Sequence, residues 1–505
     1  MENNIKKSVK FIICMLLVIF SIGAVVQFGY EKINIIPALI ISVIAIIVGL
    51  KIYLQKELKE EQLFIYIIPV ILIMFLIGIP SLKNPDEIMH WYKIYDISQG
   101  NIMPNTVDGT PIGKMPNGLE LDIGQLDINY TNIGTMYQKQ VNENEEGFFI
   151  NLSTTSVYNP MVYVPQVLGT VIADIFTDRP LVMMYSARVI NLLFSLAILY
   201  TAVKIIPFGK RLMILLTAIP VAAASFASMS PDAITIAIAY LLMAYIFKVL
   251  SEKEKKIEIK DKVIITILAI VIALCKIVYL PLAGLILLLP KEKYKNRKEQ
   301  IVTTIIVIGL AILANLIWLG ISSQYLVNFK DGAPGIQVQD ILANPLEYIQ
   351  SLIVTINVYI RQYINELFGV GVGADLHIEL YSLLPMIIFG IYLFESISDN
   401  GMKKQFNTYQ KIIIGLILLA TIGLIFTSLY VQWTPINHIY VSGVQGRYFL
   451  PILPLISFLI GNSGKIKSKY DETTHNKFLR NNTTCNICIC NVCGNNRQYV
   501  ERNKK

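Results

Sequence analysis

Long apolar runs, separated by short clusters of lysine and arginine, alternate along this chain. Hydrocarbon leaves no backbone polar group unsatisfied, and a helix needs about 20 apolar residues to cross it, so such runs read as membrane spans. Composition agrees: 54% of the 505 residues are hydrophobic and 15% are charged, against roughly 25% charged in a globular chain. A soluble multidomain enzyme is excluded. Twelve crossings are expected, near 9–29, 34–54, 62–80, 181–203, 212–229, 233–250, 263–275, 277–290, 301–320, 380–396, 411–430 and 447–462. The expected fold class is therefore all-α, a polytopic transmembrane helical bundle. The first run follows Lys6, Lys7 and Lys10 but lacks a small-residue cleavage site, so it is expected to stay attached as a helix.

Basic residues set the orientation. Lys51, Lys56 and Lys59, Lys204, Lys210 and Arg211, the runs 253–262 and 291–298, Lys403 and Lys404, and the lysines at 465–469 all fall on one side of this path. An N-terminus in the cytoplasm puts every cluster there, in a multi-pass protein of the cell membrane. The stretch 263–290 is long for one span and short for two. Flanking lysines require an even number of passes, so a tight hairpin with Lys276 at its outer tip is expected. Three N-terminal helices (1–80) would then lead into an outer region (81–180). A membrane core (181–462), with a second outer loop at 321–379, and a cytoplasmic tail (463–505) would follow. Outer segment 81–155 carries ten acidic residues, four lysines and no arginine, and is far longer than an ordinary connector. The stretches 160–177 and 352–368 read as interfacial helices. The net charge of +8 resides in the short inner loops, so nucleic acid is not an expected partner, whereas membrane lipid is.

The sharpest local feature is Asn84-Pro85-Asp86-Glu87-Ile88-Met89-His90, just after the third span. Pro85 and the two acids suit an ordinary helix start. The i to i+4 spacing also puts Asp86 and His90 on one helical face, where they could share a proton or a metal. Other polar residues occupy outer ends of spans: Arg188, Asp232 in Ser230-Pro231-Asp232, Lys276 with Tyr279, and Arg447 beside Gln445 and Tyr448. Singly, each has a structural explanation, in helix pairing, snorkelling or interface anchoring. Together, acids and cations at one surface suit phosphate binding and deprotonation of an acceptor hydroxyl.

Several strings resemble the successive signatures of the bacterial membrane family called domain of unknown function 2142 (DUF2142). They are Pro85-Asp86-Glu87 with His90, the segments 95–100, 188–192 and 230–233, Lys276 with Tyr279, and Gly443-Val444-Gln445-Gly446-Arg447-Tyr448-Phe449-Leu450-Pro451. The likeness covers roughly 60–462. That family is similar in layout to GT-C glycosyltransferases, which take sugar from a polyprenyl-phosphate donor and carry an acidic motif in the first large outer loop. The resemblance implies Asp86, Glu87 and His90 as catalytic candidates. Arg188, Lys276 and Arg447 would be candidates for the donor phosphate, with Asp232, Tyr279, Gln445 and Tyr448 lining the substrate site. A divalent metal ion on Asp86 is the cofactor left open. Here the acidic motif follows the third span, which departs from the GT-C layout.

The expected activity is transfer of sugar from a polyprenyl-phosphate donor to a cell-envelope glycan. A transporter or a non-catalytic envelope-assembly protein is the alternative. No Asp or Glu occupies the middle of a span and no internal repeat is evident, which weighs against an ion-coupled carrier. Six cysteines form no disulfide framework, since four crowd into Cys485, Cys488, Cys490 and Cys493. Back-translated into AT-rich codons, that tail reads one nucleotide later as an apolar string. This predicts a frameshift near Thr484 in place of a further span, which the coding DNA would decide.

Overall fold

The computed structural model describes residues 43–44, 47–48, 51, 59–119, 133–142, 146–325, 334–369, 383–398, 405–436 and 438–461. The expected spans at 9–29 and 34–54, apart from a few positions, and the cysteine-rich tail lie outside the described residues. The chain is mainly helical. Helices occupy Glu60–Gly78 (α1), Glu87–Ser98 (α2), Val164–Asp174 (α3), Pro180–Ile205 (α4), Lys210–Ala218 (α5), Pro220–Phe226 (α6) and Asp232–Ser251 (α7). They continue with Ile259–Cys275 (α8), Arg297–Ser322 (α9), Pro345–Phe368 (α10), Leu383–Ser398 (α11), Thr408–Trp433 (α12) and Leu453–Gly461 (α13). Among the described residues, α1, α4, α7, α9 and α12 are long and apolar enough to cross a membrane.

Local chemistry accounts for many of the ends. Asn407 and Gln410 cap α12 reciprocally, each side chain bonding the other's backbone N–H at 2.9 and 3.0 Å. Asn296 accepts from the Glu299 N–H at 2.8 Å to start α9. The stretch 212–229, expected as one span, is broken into α5 and α6. Pro220 supplies no N–H and drives Ile219 into extended backbone (φ −58°, ψ 140°).

The short hairpin has a specific solution. Lys276 is extended (φ −156°, ψ 131°), and the chain returns along α8 as a 3₁₀ helix over Ile277–Leu288. At about 2.0 Å per residue those 12 residues reach about 24 Å, against about 18 Å in an α-helix. Tighter winding thus gives a short segment the reach of a longer one.

Within the long segment after α1, a three-stranded antiparallel sheet stands beside α2, a feature the sequence reading does not anticipate. Its strands are Asn105–Val107 (β1), Thr110–Met115 (β2) and Phe148–Asn151 (β3), in the order β1-β2-β3. Asp108 and Gly109 join the first two, both at positive φ (49° and 75°), as a two-residue hairpin turn requires.

α7 is enclosed along nearly its whole length. At one end of the bundle, Lys210 pairs with Glu61, Arg211 with Glu60 at 3.1 Å, and Lys262 with Glu299 at 2.6 Å. Basic residues from the loop before α5 therefore meet the start of α1, and one from the loop before α8 meets the start of α9. The other terminus of α1 meets Arg188 at the opposite end, where Glu87 accepts the N–H groups of Met229 and Asn84. The stretch expected as an interfacial helix at 160–177 forms a 3₁₀ turn at Pro160–Tyr163 and then α3. α3 lies along α4, with Val164, Leu168, Ile172 and Phe176 on an exposed apolar face. At Gly169 a Cβ would lie 2.5 Å from the Ser186 carbonyl oxygen, so the two helices meet backbone to backbone.

Candidate functional site

Asp86 heads α2 in left-handed backbone (φ 61°), an uncommon conformation for a residue with a Cβ. Its carbonyl accepts the His90 N–H at 3.1 Å, so the helix begins normally behind it. Strained non-glycine residues of this kind collect at functional sites.

Glu87, next in the chain, turns inward and is fully buried. Arg188 grips both of its oxygens, Nε to Oε1 at 2.8 Å and NH2 to Oε2 at 2.5 Å. Oε1 also accepts the Met229 N–H at 2.9 Å, and Oε2 the Asn84 N–H at 3.3 Å. Arg188 donates further to the carbonyls of Ile79 and Pro80, at 2.7 and 2.9 Å. This closed pair fastens the end of α1 and the start of α2 to α4 and the turn before α7. Arg188, expected at the donor phosphate, has no exposed surface to offer one, and Glu87, expected among the catalytic acids, has no free lone pair facing outward. In this arrangement the two side chains hold each other and the elements around them.

The remaining residues converge. Arg447, 361 positions away in sequence, donates to Asp86 Oδ2 at 2.5 Å. Its NH1 lies 3.6 Å from Asp232 Oδ2, and Lys276 Nζ holds Asp232 Oδ1 at 2.6 Å. The result is a ladder of alternating charge, Asp86, Arg447, Asp232, Lys276. The Asp86 side chain is 59% exposed, against 8% for Arg447, 11% for Asp232 and 15% for Lys276, so it is the acid presented outward. Tyr448 lies beneath both cations, its ring centre 5.0 Å from Lys276 Nζ and 5.5 Å from the Arg447 guanidinium carbon. Tyr279 ties the ends together by donating to the Tyr448 carbonyl at 2.9 Å.

His90 is buried behind Asp86 and pairs through Nδ1 with the Tyr163 hydroxyl at 2.8 Å. Burial pushes its pKa down to about 4, further than the nearby carboxylates of Asp86 and Asp232 can restore it, so it is neutral at physiological pH. Asp86 moves down for a different reason. Burial raises it, but the Arg447 charge and hydrogen bond win and hold it below the usual carboxylate range.

A resident divalent metal does not fit this constellation. Among the described residues no three His, Cys, Asp or Glu side chains gather as a ligand set. Asp86 and Asp232 are already bound to Arg447 and Lys276, whose charges would oppose a dication.

Three contributors have no local sequence signal. Tyr163 orients His90, and Tyr158 places its ring centre 5.4 Å from Lys276 Nζ. Glu366 of α10 accepts the Gly446 N–H at 2.7 Å and so positions the turn that carries Arg447. Gln445, named from the sequence, has a buried Oε1 with no hydrogen-bond partner among the described residues.

Residues 70–456 match the model of the family described as a predicted membrane protein, DUF2142. The chain belongs to that family. The DUF2142 match spans every residue of the charge ladder, together with His90 and the Glu87 and Arg188 pair. No curated protein and no solved structure matches the chain.

Proposed function

We propose that this DUF2142 protein is a membrane glycosyltransferase that moves sugar from a polyprenyl-phosphate donor to a cell-envelope glycan at the outer face of the membrane. The twelve-span path with a cytoplasmic N-terminus, and the outer placement of 81–180, belong to the same proposal. One observation carries it: an exposed carboxylate, Asp86, lies 2.5 Å from a buried guanidinium, Arg447, at the end of the bundle opposite the basic loops.

In the transfer, the acceptor oxygen attacks the anomeric carbon while the bond from that carbon to the phosphate oxygen breaks. The bonding pair leaves on phosphate, where Arg447 and Lys276 stabilise it, and the acceptor proton passes to Asp86. Asp86 is a poor base while it holds Arg447. The donor phosphate shares the Arg447 charge, which loosens that hold and raises the basicity of Asp86 when it is needed.

A non-catalytic role in envelope assembly is the second reading, favoured by the mutual neutralisation of all four charges in the resting chain. The test is Asp86→Asn, which keeps shape and removes the base. Envelope glycans analysed after deletion should lose a component that the wild-type gene restores and the variant does not, with sugar transfer by the purified variant reduced about 100-fold or more. Full restoration by the variant would leave only the assembly role.

A further inference from the structure

Behind the charge ladder is a narrow recess lined by Asn84, Ala224, Ser225, Ser228, Ser230 and Arg447, with Pro85 at its side. Its wall at 221–228 is mostly alanine and serine, with Val221 also lining the space. It has room for one polar group and none for a sugar ring.

Its polar atoms are unbalanced. Asn84 Nδ2 and Arg447 Nε are buried hydrogen-bond donors with no partner among the described residues, on side chains only 6% and 8% exposed. The serines are largely committed: Ser225 Oγ donates to the Val221 carbonyl and Ser228 Oγ to the Ser225 carbonyl, both at 2.8 Å. Ser228 Oγ also accepts the Ser230 N–H at 3.1 Å, and Ser230 Oγ the Asp232 N–H at 3.2 Å. Two orphan donors, one of them cationic, call for an acceptor oxygen, and a buried donor left unpaired is costly. A hydroxyl would bring a proton with it. A phosphoryl oxygen brings only lone pairs and negative charge.

We propose that this recess is a phosphoryl-oxygen site, with Asn84 and Arg447 Nε as its donors, and that it takes one oxygen of a phosphate ester whose phosphorus stays outside it. This rests on the glycosyl-transfer reading for the identity of the ester but not for the site itself. A phosphate anchored there approaches Arg447 from the face that Asp86 and Asp232 leave open.

The test is equilibrium binding to the full-length protein in detergent micelles, with farnesyl phosphate, farnesol and inorganic phosphate as probes. Farnesyl phosphate should bind saturably and farnesol should not, because only the first carries an anionic phosphoryl oxygen. Asn84→Asp, which places a carboxylate in the recess, and Ala224→Leu, which fills it, should each weaken binding at least tenfold. Circular dichroism and the melting temperature serve as folding controls, and Asn84→Ala substitutes if either variant misfolds. If inorganic phosphate binds as tightly as the prenyl ester, and the same variants abolish it, the site holds and its ligand is free phosphate. Binding that is lost in these variants while no sugar is transferred upholds the recess and removes the transferase reading. Farnesyl phosphate binding that is absent in the wild type, or unchanged in both folded variants, overturns the site.

Discussion

Two adjacent acids, Asp86 and Glu87, have opposite fates. The left-handed backbone at Asp86 turns its side chain to the exterior while Glu87 points into the bundle, where Arg188 satisfies it. Removing one member of such a buried pair leaves the other charge without compensation, at a cost of about 3–5 kcal/mol. Arg188→Met should therefore lower the melting temperature strongly, and the loss should be smaller in the double variant Glu87→Leu/Arg188→Met. A loss in the double variant equal to the sum of the Glu87→Leu and Arg188→Met losses would show that the pair is not coupled. His90 gives a separate signature. Its folded pKa of about 4 lies below the usual 6.5, so the unfolded chain takes up a proton first as pH falls. The stability it contributes is fully present above about pH 6.5 and is lost as pH falls toward 4. A melting-temperature profile should decline across that window in wild type and stay flatter in His90→Phe. The carboxylates answer at lower pH, because Asp86 is held below the ordinary range.

At the scale of elements, α10 decides where Arg447 stands. From sequence, 352–368 reads as an interfacial helix. In the structure Glu366 is the hinge of the arrangement, capping the Gly446 N–H at 2.7 Å, while Leu346, Ile349 and Ile353 remain on an exposed apolar face. Gly446 is required by close approach: a Cβ there would lie 2.5 Å from the Tyr363 carbonyl oxygen and 2.6 Å from the Leu367 nitrogen. Both are backbone atoms that cannot swing aside. Gly446→Ala should cost about 1–3 kcal/mol, as overpacking does, and should displace Arg447 from Asp86. On the glycosyl-transfer proposal, activity then falls more than stability explains, as transfer rates measured well below the variant's melting temperature would reveal. Retained activity would mean that α10 and the Arg447 turn adjust together. The 3₁₀ helix at Ile277–Leu288 belongs to this scale too, because its extended rise delivers Lys276 to Asp232.

At the scale of the molecule, the bundle has two chemically different ends. One carries Lys210, Arg211 and Lys262 in pairs with glutamates, and the other carries the Asp86 ladder and the small sheet. Single cysteines at Asp108 and Lys295, both exposed, should be labelled from opposite sides of the membrane by an impermeant maleimide, with Asp108 outside. Labelling of both from one side would overturn the orientation. Sequence alone determined that the chain is a membrane protein of many helices, because apolar runs of spanning length have no other stable use, and it placed Asp86, Asp232, Lys276 and Arg447 at one end through the basic-loop rule. It also carried the family, through strings such as the one ending in Arg447-Tyr448-Phe449-Leu450-Pro451. Tertiary structure decided the partners. Arg188 and Arg447 look alike in sequence, each a lone arginine near the outer end of an apolar run, yet one is sealed against Glu87 and the other faces Asp86. Hydropathy reports how deep a residue lies along a helix. Which way it points, and what it meets, depends on rotation and packing between helices far apart in the chain, and that fixed the site.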